Sequence, residues 1–226
     1  MSSAALAYAW RSLRRGWRSG DLLILALALA IAVAAASAVG LFTERVRAAL
    51  DSQSGDALGA DLIFSSRDPI PSSVAQAATA SGARSSEVVQ FPSVVTQGSA
   101  LSLATVKAVT DGYPLRGKLT LSDEPFGPAR IASGIPAPGE AWVDLKLWTA
   151  LNLKPGDTVQ AGSAKFRVSA IIVTEPDRGG GFMDFAPRFL INAHDLPTSK
   201  LLGPGSRAQY SLMIAGTAQQ LETLRA

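Results

Sequence analysis

The sequence predicts an α+β protein anchored in a membrane, with one transmembrane helix followed by a mixed domain of strands and short helices. Three observations predict it. Residues 22–43 carry no charged side chain. Four arginines precede that block, whereas charges of both signs balance after it. Beyond it, alternating β-branched stretches and short helical ones are separated by glycine and proline.

The apolar block comes first. As a helix rising ~1.5 Å per residue, its 22 residues span roughly 33 Å, enough for a hydrocarbon core of ~30 Å. Asp21 and Glu44 bracket it. A cleaved signal is the rival reading, because Ala36-Ser37-Ala38 fits a cleavage pattern and Arg14-Arg15 hints at a twin-arginine leader. Signal cores run ~7–15 residues, so the length favours a retained anchor. Arg11, Arg14, Arg15 and Arg18 lie on the N-terminal side, which places that side in the cytoplasm of a bacterial inner membrane and the residues from 44 onward outside.

Before the block, Leu6, Trp10, Leu13 and Trp17 recur at helical spacing. Residues 1–20 therefore read as an amphipathic interfacial helix. Trp10 and Trp17 would sit at the membrane interface, and Arg11, Arg14, Arg15 and Arg18 would face anionic lipid. Residues 21–56 read as transmembrane helix and stalk, with Gly55 and Gly59 marking the helix end.

Residues 57–226 form the extracytoplasmic domain. Its expected order is strand 61–65, helix 72–80, then strands 87–96 and 101–109. A Pro/Gly-rich passage opens a β-rich insert at about 120–175, with strand at 142–143, helix at 145–151 and strands at 158–160 and 165–173. Trp142, Val159, Phe166, Val168 and Ile171 are its apolar positions, enough for a separate small core. Strand 207–215 should rejoin the first sheet. Thr217 then opens a helix, with Gln220 completing a capping box. The chain ends inside that helix, so the domain reads as C-terminally truncated, with one sheet edge left open.

Chemistry is sparse. The chain has no cysteine and one histidine, His194, in an expected surface turn. Neither a nucleophile elbow nor a P-loop occurs, and Gly179-Gly180-Gly181 lacks the Lys-Ser/Thr that would follow. No catalytic, cofactor or metal residue is therefore assigned, and an anchored hydrolase is disfavoured. Of 21 basic residues four precede the apolar block, and of 18 acidic residues one does. Seventeen of each sign remain from Glu44 onward, which excludes a nucleic-acid surface. One local feature stands out: Glu175, Asp177, Arg178, Gly179, Gly180, Gly181 and Phe182 form a charged, glycine-rich candidate partner contact. A surface contact of that kind would tolerate alanine at Asp177 and Arg178 without loss of thermal stability.

Four stretches carry a resemblance over nearly the whole chain: Leu58-Gly-Ala-Asp-Leu62, residues 106–117 with Tyr113-Pro-Leu-Arg-Gly117, Leu151-Asn-Leu-Lys-Pro-Gly-Asp157, and Glu175-Pro-Asp-Arg-Gly-Gly-Gly-Phe182. The sequence resembles the start of a YbbP-type permease, in the FtsX-like/MacB-like branch of ABC transporters. The resemblance implies a MacB-like periplasmic domain, a Porter-like α/β sheet with a β-rich Sabre-like insert. It also implies further membrane helices, a cytoplasmic ABC ATPase subunit, lipid or other hydrophobic substrates, and possible association with a periplasmic TesA-like esterase. By itself such a piece would not transport. The alternative is an anchored structural or partner-binding module.

Overall fold

The computed structural model describes residues 21–178, 185–203 and 205–225. The interfacial residues Trp10, Arg11, Arg14, Arg15, Trp17 and Arg18 lie outside them. The chain divides into two units, residues 1–52 and 53–226.

In the first unit, helix α1 begins at Asp21; its full extent is Asp21–Leu58. Within it, Leu23–Val46 is a 24-residue stretch with no side chain buried in the protein. Length and composition suffice to cross a membrane, and an apolar helix with no protein packed on it needs lipid or another partner to cover it. The helix stops where Gly59 turns into the left-handed region (φ +71), a conformation that costs a residue with a Cβ.

The second unit is built on one twisted sheet. Its elements are β1 (Leu62–Ser66), α2 (Ser72–Ala80), β2 (Arg84–Gln97), β3 (Ala100–Val109), β4 (Thr120–Ser122), β5 (Arg130–Ile131), β6 (Glu140–Asp144), α3 (Leu145–Ala150), β7 (Thr158–Ala161), β8 (Ala164–Thr174), β9 (Arg188–Asn192), α4 (Leu196–Ser199), β10 (Gln209–Ala215) and α5 (Ala218–Arg225). Among the described residues the strand order is β1-β10-β2-β3-β9-β6-β8-β4-β5, with β7 bridging β2 and β8. The expected return of the chain holds: β10 lies antiparallel between β1 and β2, pairing Leu62 with Ile214 and Ser86 with Met213. The capping box holds as well. Gln220 Oε1 accepts from Thr217 N at 2.8 Å, and Thr217 Oγ1 accepts from Gln220 N at 3.5 Å.

Strand β9 is not among the sequence-derived strands. Arg188-Phe-Leu-Ile is covered on both faces, so it shows no polar alternation to read. It is the element that joins the insert to the first sheet, running parallel to β3 and antiparallel to β6.

That junction corrects the expectation of a separate lobe with its own core. Val159, Phe166, Val168 and Ile171 share one buried cluster with Phe91, Val95, Ala104 and Val106 of β2 and β3, while Trp142 belongs to the cluster on the opposite face. Once β9 and β7 bond the insert to β2 and β3, its apolar face is continuous with theirs. Successive side chains alternate between faces, so β10 sends Met213 and Ala215 to one side and Leu212 and Ile214 to the other, beneath α2 and α5.

Phe166 meets Phe189 edge-on, with centroids 5.5 Å apart. Truncation of Phe166 to alanine should cost about 3–5 kcal/mol. Because the core is shared, hydrogen exchange on the full chain in detergent should show protection falling together in β6–β8 and in β2–β3. Loss confined to the insert would restore the separate lobe.

Candidate functional site: a buried charge network

Strand β3 changes character halfway. Leu101 and Leu103 are exposed, but every residue of 104–109 is buried, because β9 and the chain crossing over the sheet cover this half. Period-2 alternation then turns Val106 and Ala108 to one face and Lys107 to the other. The Lys107 side chain is 1% exposed. A buried ammonium needs a partner for every hydrogen and a negative charge nearby, or its desolvation goes uncompensated.

Both are supplied. Lys107 Nζ donates to Tyr113 Oη at 2.7 Å, to Glu175 Oε1 at 2.7 Å and to Asp177 Oδ2 at 2.6 Å. Three hydrogens meet three acceptors. Glu175 Oε2 accepts from Arg188 Nε at 2.8 Å, and both side chains are fully buried. Arg188 stands opposite Thr105 in the β3–β9 pairing, which brings it to the same region as Lys107. Tyr113 directs its hydroxyl at Asp177 Oδ1, 2.5 Å away. Two cations and two carboxylates thus close around one phenol.

The electrostatics are consistent with closure. Burial alone would raise the Glu175 carboxyl, but the charges of Lys107 and Arg188 overcome it and hold it well below the usual carboxylate range. Burial, followed by the charges of Glu175 and Asp177, pushes the Tyr113 phenol far up, so it keeps its proton as a donor.

The network adjoins the point where the chain leaves α1. A Cβ on Gly59 would lie 3.3 Å from that of Asp177. Gly59 O accepts from Arg116 N at 2.9 Å, and the Arg116 side chain grips Asp61, with Nη2 to Oδ2 at 2.8 Å and Nε to Oδ1 at 3.0 Å. Asp61 Oδ2 also accepts from Gly216 N at 3.0 Å, just past β10. The hydrogen bond from Arg116 lowers the Asp61 carboxyl. On the other side, Arg178 Nη2 donates to Asp144 Oδ2 at 2.7 Å, while Asp144 Oδ1 caps α3 through Leu147 N at 2.9 Å.

The residues singled out by sequence fall as follows. Glu175 and Asp177 face inward to Lys107, and Arg178 faces Asp144; Gly179, Gly180, Gly181 and Phe182 lie outside the described residues. Alanine at Asp177 or Arg178 would strip partners from buried groups, so the expected indifference of thermal stability does not follow from this geometry. His194 is exposed in a single helical turn. Lys107 and Arg188 carried no assigned role in the sequence. A lysine inside the apolar run Leu103–Val109 was the available signal for the first, while Arg188 needed the β3–β9 pairing to be seen. Among the described residues no group of three or more His, Cys, Asp or Glu side chains could hold a metal.

Replacing Glu175 by Gln should destabilise the domain by about 3–5 kcal/mol at neutral pH, because it leaves buried cations short of charge. Since the folded carboxyl is depressed, its contribution is full above the unfolded value of about 4.3 and is lost as pH falls below that. The gap between wild type and E175Q, measured by thermal unfolding, should therefore narrow from pH 7 to pH 3. A second expectation concerns Gly59: G59A should lower the melting temperature, through φ strain and crowding against Asp177.

Residues 22–225 match the MacB-like periplasmic core domain. Over 208 residues the chain is 33% identical to the uncharacterized ABC transporter permease YbbP of Escherichia coli (strain K12), covering 92% of this chain and 25% of that protein. It thus spans about a quarter of that relative's length. Two solved structures are similar at a TM-score of 0.48. One is the extracellular domain of the noncanonical ABC-type transporter YknZ from Gram-positive bacteria, with 13% identity, covering 68% of this chain and 76% of that one. The other is the periplasmic region of MacB from Actinobacillus actinomycetemcomitans, with 12% identity, covering 74% and 82%. With a family match from the membrane-length helix to the final one, the chain belongs to the MacB-like periplasmic core domain family.

Proposed function

We propose that this chain supplies the first transmembrane helix and the periplasmic domain of an ABC-type permease subunit, and that its domain relays motion rather than performing chemistry. The observation that carries this reading is the bonding of the helix exit. Gly59 and Asp61 are tied to Arg116, Gly216 and the strand β10, and the Lys107 network lies directly beside them. A displacement entering at residue 59 would reach the central strands through directional, charge-assisted bonds instead of dissipating in a loose linker. In that role the subunit works with a cytoplasmic ABC ATPase and with further membrane helices. The cargo we propose is lipid or another hydrophobic compound, with a periplasmic TesA-like esterase as an associate; both rest on the family resemblance. The N-terminus is proposed to be cytoplasmic, on the arginine asymmetry around α1.

The absence of cysteine makes orientation testable directly. A cysteine at Ser99, in the exposed β2–β3 turn, should react with a membrane-impermeant maleimide in intact cells, and one at Ser12 should react only after permeabilisation. The reverse pattern would overturn the topology. For the transport role, the complete permease carrying this domain should co-purify with ATPase activity. K107M should uncouple that activity from cargo movement, and purification with no associated ATPase would leave only the anchored-module reading.

A further inference from the structure

A second polar site lies at the end of β1 opposite Gly59. The end of β1 and the approach to β10 border an open cleft of about 750 Å³, lined by Ser65, Ser66, Arg67, Ser206, Arg207, Ala208 and Gln209. No carboxylate lines it among the described residues. This contrasts with a domain whose charges otherwise balance.

The hydrogen bonding within the cleft sets its polarity. Ser66 Oγ accepts from Asp68 N at 3.0 Å, and Ser206 Oγ accepts from Gly203 N at 2.8 Å. Each hydroxyl has thereby used an acceptor position and keeps its hydrogen to donate. Ser65 and Ser211 share a hydroxyl–hydroxyl bond of 3.1 Å, and Ser211 lies outside the lining, so the donors counted for the cleft are Ser66 and Ser206. Arg67 and Arg207 make no ion pair among the described residues. Asp68, though next in sequence, lies outside the lining. The site is thus rich in donors and carries two fixed positive charges, held on the ends of two paired strands. Guanidinium forks with hydroxyl donors match the oxygens of a tetrahedral dianion.

We propose that this cleft binds a phosphate group, either as a free phosphomonoester or as a lipid headgroup. The assignment is independent of the transport reading, because it rests on lining chemistry at the other end of β1 from the helix exit.

The test titrates the full chain in detergent with inorganic phosphate and, separately, with dihexanoyl phosphatidate, by calorimetry at constant ionic strength against chloride. At least one ligand should bind saturably. The double variant R67Q/R207Q should weaken that binding about tenfold or more, as loss of charge-assisted bonds implies. R130Q removes an exposed arginine elsewhere and should change nothing. Binding of inorganic phosphate identifies a free-anion site; binding of phosphatidate alone identifies a headgroup site. Both arginines are exposed, so an unchanged melting temperature checks that the double variant folds. If neither ligand saturates, or if the folded double variant binds as tightly as wild type, the proposal is wrong.

Discussion

A single buried ammonium governs the arrangement of this domain. Lys107 lies on a central strand, at a position where alternation and flanking strands leave no route to water. Taking such a charge out of water costs several kcal/mol in practice, so no compact state lacking its counter-ions is competitive. The counter-ions come from Glu175 and Asp177, and the third acceptor from Tyr113. Satisfying one side chain therefore fixes the chain after β8 and the turn after β3, segments more than sixty residues apart in sequence.

A buried ion pair is weak evidence for stability and better evidence for register. Apolar side chains of similar volume could fill the same space, but they would accept several strand pairings. The network accepts one, because Arg188 must reach Glu175 from β9 while Lys107 reaches it from β3. A slip of one residue in the β3–β9 pairing would turn the charges into the apolar cluster on the opposite face. The charges thus enforce the junction that merges the insert with the first sheet.

Much of this was readable from sequence, and the failures share a cause. Elements with one covered face were legible: α2 between its proline and glycine, β2 and β3 with their tight turn, and the helix that Thr217 opens. The three motifs around Gly59, Tyr113 and Glu175 could be noticed as segments, yet only the fold shows that they converge. Strand β9 was invisible because both of its faces are covered. Without β9 the insert has no partner in the sequence pattern, and its apolar residues suggest a private core where the fold has a shared one. The same omission hid Arg188. For Glu175–Arg178, charge beside glycine read as exposure, whereas in the fold those charges neutralise other buried charges.

The helix exit shows why the two polar devices sit together. Gly59 is needed for its left-handed turn, and that turn puts the backbone against Asp177 with little room to spare. Asp177 in turn is held by Lys107 and Tyr113, and the peptide oxygen of Gly59 by Arg116, whose side chain also fixes Asp61. Each bond in this circuit removes a freedom that the neighbouring bond would otherwise have to restrain. Displacing the Asp177 carboxylate would break its bonds to a saturated ammonium in largely dry surroundings, where such bonds are strong, whereas the Arg116–Asp61 fork beside it is partly open to solvent and weaker. Residues 59–61 are thus held to the sheet of the second unit by backbone and side-chain bonds at once, one set dry and one partly solvated.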